Sequence, residues 1–79
     1  MARQGRRITE AMITTAVLEM LEHNLVEGLT LAALTGAVSG LLGVPISVEY
    51  VRRSVRRNRH RISVEAGMIK LSLDWRNRR

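Results

Sequence analysis

Six arginines fall within ten residues: Arg52, Arg53, Arg56, Arg57, Arg59 and Arg61. A guanidinium is permanently charged, and its planar fork of donors matches two phosphate oxygens or the O6/N7 edge of guanine. Clustered cations of this kind bind a polyanion by releasing its condensed counterions. Glu49 is the acid within helical reach of the run, too little negative charge for internal neutralisation. An anionic partner is therefore expected. Other chemistry finds little support. His23 and His60 lie far apart, without the spacing of a metal site, and there is no cysteine to act as ligand or nucleophile. No glycine-rich phosphate loop occurs. Neither an enzyme, a metal nor a cofactor is expected.

The charge belongs to a small module. Seventy-nine residues carry a formal net charge of +6, and twelve of the thirteen bases are arginine. That length holds one domain, near the lower end of what buries a core unaided. One tyrosine and one tryptophan argue against a base-stacking platform. The basic start, with Arg3, Arg6 and Arg7, is followed by a segment containing Glu10, Glu19 and Glu22, so no secretory signal is expected.

Periodicity supplies the elements. Residues 8–26 read as a helix with Thr9 as N-cap and a broad apolar arc that includes Ile13, Ala16, Met20 and Leu21. An arc wider than one core needs suggests a dimer surface at Ile13, Ala16 and Met20, or cover from elsewhere in the fold. Thr30 caps a second helix over residues 31–42, with Leu29 and Leu34 as its hydrophobic staple. Leu31, Leu34, Val38, Leu41 and Leu42 share one side of it, and Ala32, Gly36 and Gly40 the other. Gly43 and Pro45 end it. Ser47 caps a third helix, with Val48, Val51 and Val55 expected inward and Tyr50, Arg53, Arg57 and His60 outward. The period then changes from 3.6 to 2. A turn at Ala66-Gly67 pairs Glu65 with Met68, Val64 with Ile69 and Ile62 with Leu71, which puts both apolar sides on one face. Alanine resists the positive φ of a tight primed turn, so a longer loop is an alternative. Leu73 and Trp75 continue the alternation, with Trp75 sealing the core.

Helix, helix, helix and hairpin, with a glycine turn before the third helix, resembles a winged helix-turn-helix domain over residues 8–75. The segments that carry the resemblance are Leu31-Ala-Ala-Leu, Leu42-Gly-Val, Ser47-Val-Glu-Tyr-Val-Arg-Arg and Ile62-Ser-Val-Glu-Ala-Gly-Met. The expected fold class is mainly α with a small β-hairpin, between a basic arm at residues 1–7 and a basic tail at 76–79. The resemblance implies a third helix in the DNA major groove, a second helix across the backbone and a wing beside them. Glu65 near the wing tip opposes phosphate, which leaves Lys70 as the wing's base.

Placed on that frame, Ser47, Glu49, Tyr50, Arg53 and Arg57 are candidates to face bases. Arg52, Arg56, Arg59, His60, Arg61, Lys70 and the helix start at Thr30 are candidates for phosphates. Arg3, Arg6 and Arg7 would lie along a minor groove or phosphates. The expected protein is a small sequence-specific regulator of transcription that binds double-stranded DNA, acts as a homodimer through its first helix and takes no small-molecule ligand. Such sizes suit the regulators of phages, viruses and mobile elements. It would be cytoplasmic or nucleoid-associated. RNA binding through the arginine-rich helix, and a winged helix serving protein assembly, remain alternatives. A membrane span over the uncharged residues 28–48 is opposed by four glycines, a proline and two successive helix caps.

Overall fold

The computed structural model describes residues 7–73. Arg3, Arg6, Trp75 and the tail at 76–79 lie outside them. Three helices, α1 (Glu10–Glu22), α2 (Leu31–Leu42) and α3 (Val48–Arg57), precede an antiparallel hairpin of β1 (Ile62–Glu65) and β2 (Met68–Leu71). This is the layout of a three-helix winged helix-turn-helix.

Each helix begins as its cap dictates. Thr9 Oγ1 accepts from Met12 N–H, and Thr30 Oγ1 accepts from Ala33 N–H, both at 3.1 Å. Ser47 Oγ accepts from Glu49 N–H at 3.2 Å. α1 is shorter than residues 8–26 at both ends. Its last turn is closed by Asn24 Nδ2–H, which donates to the Met20 carbonyl at 2.8 Å, and the chain then turns away, leaving Val26 exposed. Gly28, at φ +74°, completes that turn where a Cβ would stand 2.5 Å from the Ile69 carbonyl oxygen. Leu29 and Ile69 can therefore exchange both backbone hydrogen bonds, at 2.9 and 2.7 Å, and tie the α1–α2 connection to β2.

The core joins Ile13, Ala16, Val17 and Leu21 of α1 to Leu34 and Val38, to Val51 and Val55, and to Ile62, Ile69 and Leu71 of the hairpin. α1 packs against α2, α3 and β2 together. That threefold cover, not a second copy, explains the width of its apolar arc. Ile13 and Ala16 are 6% and 2% exposed, so the expectation that they form a dimer surface is corrected; Met20 is half-buried against the same core.

The hairpin keeps the expected register, Glu65 opposite Met68, Val64 opposite Ile69 and Ile62 opposite Leu71. Its turn is the tight primed form after all, with Ala66 at φ +53° and Gly67 at +78°. Val64 and Leu73, both expected inward, are exposed: Val64 lies on the outer strand β1, whereas its partner Ile69 on β2 is buried and bridged to Leu29 on its other side, and Leu73 lies beyond the end of β2 at Leu71. Leu41 is likewise exposed rather than sharing the buried side of α2. Among the described residues the small side of α2 meets nothing at Gly36 or Gly40, where an added Cβ has open space around it.

Candidate nucleic-acid interface

What α3 buries decides which arginines it offers. Val51, Ser54 and Val55 are buried, and so is Asn58 at its C-cap. At about 100° per residue, these four centre roughly 40° away from the direction that Val48, Val51 and Val55 alone define. Two polar side chains cause the rotation. Ser54, 1% exposed, shares a 2.8 Å hydroxyl hydrogen bond with Thr14 of α1. Asn58 Nδ2–H donates to the Ser54 carbonyl at 2.7 Å, and the Asn58 backbone carbonyl accepts from the N–H groups of Arg61 and Ile62. Satisfied in this way, both tolerate burial. Val48, expected inward, is displaced to the surface at 37% exposed.

Glu49, Arg53 and Arg56 consequently form the outermost line of α3, with Arg52 on one flank and Tyr50 and Arg57 on the other. Arg56, which an α3 aimed along its three valines alone would carry toward the core edge, thus stands on the outer line. Arg57 turns toward α1, where its Nη1 donates to both carboxylate oxygens of Glu10. Glu49 is therefore not the sole internal counter-charge; the second comes from a residue 47 positions away, beyond the reach of helical spacing. Glu49 itself pairs with Arg52 at 2.9 Å rather than with Arg53. Arg53 lies over the Tyr50 ring, 5.7 Å from its centroid, a cation–π arrangement. Among the described residues, Arg53, Arg56 and Arg59 have no acidic partner.

The remaining candidates are less free. Arg61 Nε–H donates to His60 Nε2 at 3.1 Å, just beyond the helix. Lys70 Nζ lies 4.0 Å from Glu65 Oε1, so the base of the wing is partly answered by the acid of its tip. The hydroxyls of Thr30 and Ser47 are occupied as caps, and both residues are exposed. Arg7 is exposed at the start of the described chain.

Sequence reasoning missed a cleft of about 540 Å³ between the start of α1 and the turn from α2 to α3, bordered by Arg53 and Arg57. The turn residues Val44-Pro45-Ile46 were legible as punctuation, not as a wall. Among the described residues, no helix is long and apolar enough to cross a membrane, and no three acidic or imidazole groups gather as a metal site would require. Comparison with protein-family models, curated proteins and solved structures finds no match for this chain.

Proposed function

We propose that this is a small sequence-specific DNA-binding protein, most simply a regulator of transcription, that inserts α3 into the major groove. The observation that carries the proposal is the exposed line of Arg53 and Arg56, without acidic partners among the described residues, on a helix whose opposite side is anchored in the core. A prefolded cationic helix suits a duplex groove; an RNA-binding arginine-rich segment typically orders on its target. Glu49, on the same line, can accept from cytosine N4. Arg52 and Arg59 flank the line as phosphate contacts, and the wing contributes little because Glu65 answers Lys70. Such a protein works where its DNA is, in the cytoplasm or nucleoid.

Selection from random duplex DNA at physiological salt, with an RNA pool as competitor, tests the proposal. A recurrent duplex motif is the expected result; enrichment of RNA, or no enrichment, overturns it. The motif also reports assembly. Two copies would enrich a palindrome with half-sites about 34–36 Å apart, and one copy an asymmetric site.

A further inference from the structure

The cleft beside α3 is not used by that reading. Its floor is apolar, built from Ile8, Ile13, Val44, Pro45 and Ile46, with the Tyr50 ring as a wall. The turn that forms half of it is held in shape: Ile46 N–H donates to Ser39 Oγ at 2.9 Å, and Gly43 takes the left-handed conformation at φ +78°. At the rim, Arg57 is occupied by Glu10. Arg53 has its contact with the Tyr50 ring but, among the described residues, no hydrogen-bond partner, and neither does the Tyr50 hydroxyl.

A duplex does not fill such a space. Phosphates and base edges set against five apolar side chains would lose water and gain no hydrogen bond in return. A volume of about 540 Å³ is that of a small-ligand site. Two guanidiniums against one carboxylate leave a single positive charge, which a monoanion would balance. We propose that the cleft binds a small organic monoanion, a carboxylate or sulfonate on an apolar body. Its headgroup sits on Arg53 and the Tyr50 hydroxyl, and its body on the floor beneath. Because Arg53 cannot hold that headgroup and a nucleic acid together, occupancy of the cleft opposes nucleic-acid binding. This second half rests on the function proposed above; the first does not.

The test titrates octanoate and naphthalene-2-sulfonate into the full chain at fixed ionic strength, followed by methyl NMR, with octanol as the uncharged control. Saturable shifts at Ile8, Val44 and Ile46 are expected for at least one anion, with octanol at least tenfold weaker. Arg53→Met, which keeps the aliphatic stem, should weaken the anion at least tenfold and leave octanol unchanged. Absence of saturable shifts with either anion, or an Arg53→Met protein that binds as tightly as the parent, overturns the site. In a parallel arm the bound anion should raise the apparent Kd for duplex DNA in step with its occupancy. An occupied cleft with unchanged duplex affinity overturns the antagonism and leaves the site. Anion binding without any duplex binding overturns the nucleic-acid reading and leaves the site. Duplex binding without anion binding does the reverse.

Discussion

Glu10→Gln separates the charge of α3 from its fold. In the parent, Glu10 holds Arg57 through both carboxylate oxygens, so one cation of the helix is already neutralised when a polyanion arrives. Their side chains are 50% and 59% exposed, which limits the pair's contribution to stability to about 0.2–1 kcal/mol. Glutamine keeps the shape and one acceptor, and Glu10 otherwise only adds its first-turn interaction with the helix dipole, again under about 1 kcal/mol. The variant should therefore fold, with the two losses together under about 2 kcal/mol and Tm lowered by less than about 16 °C. Its binding should change more visibly. Freeing Arg57 adds one cation able to displace a counterion, so the slope of log K against log salt should steepen by about 0.9. Over a fourfold rise in salt, from about 50 to 200 mM, the variant should lose about 3.5-fold more affinity than the parent. Anisotropy of a labelled random-sequence duplex across that range gives the slope directly. Adding Arg57→Gln to Glu10→Gln should return the slope to the parental value. If Glu10→Gln leaves the slope unchanged in a protein of near-parental Tm, Arg57 does not face the nucleic acid, and the assignment of this flank is wrong.

Arg53→Ala and Arg56→Ala, on the outermost line of α3, should each weaken specific binding by about 1–3 kcal/mol in a titration of the selected site, and the one that also relaxes sequence preference is the base contact. Ala66→Asn, at φ +53° beside Gly67, supplies the residue a primed turn prefers and should stabilise by about 1 kcal/mol, raising Tm by about 4–8 °C in a melting experiment. Gly28→Ala combines a left-handed backbone cost of about 1–2 kcal/mol with a backbone clash at Ile69 worth about 1–3, so urea denaturation should show a loss of about 2–5 kcal/mol. In that variant the amides of Leu29 and Ile69 should lose hydrogen-exchange protection first.

The readable parts of this chain were those in which local chemistry and tertiary need agree. Thr9, Thr30 and Ser47 are caps by composition and caps in the structure. The hairpin register followed from alternation because slipping one residue would turn Ile62, Ile69 and Leu71 outward. Three features lay beyond that logic. The Glu10–Arg57 pair spans 47 positions and obeys no period. Ala66 accepts a positive φ because the register holds it there, against its own preference. The dimer surface was misplaced on Ile13 and Ala16 because an apolar arc reports that a face is covered, not by what; β2 and two helices cover α1 in its own chain.

A fourth miss links the fold to the site. Apolar spacing alone aims α3 along its three valines, with Arg57 outward and Arg56 toward the core. Ser54 and Asn58 turn the helix by about 40°, and Ser54 can be buried because Thr14 of α1 meets its hydroxyl. A polar residue on the inner side of a helix thus selects which arginines face out. The consequence is measurable. Ser54→Ala strands a half-buried Thr14 hydroxyl and should cost about 1–3 kcal/mol in urea denaturation, whereas adding Thr14→Val removes both partners and should recover most of that loss. If α3 is held in rotation by this bond, the Ser54→Ala protein should also lose discrimination between its selected site and random duplex by more than its lost stability explains. Unchanged discrimination in a folded Ser54→Ala protein would mean that Val51, Val55 and Asn58 fix the rotation without it.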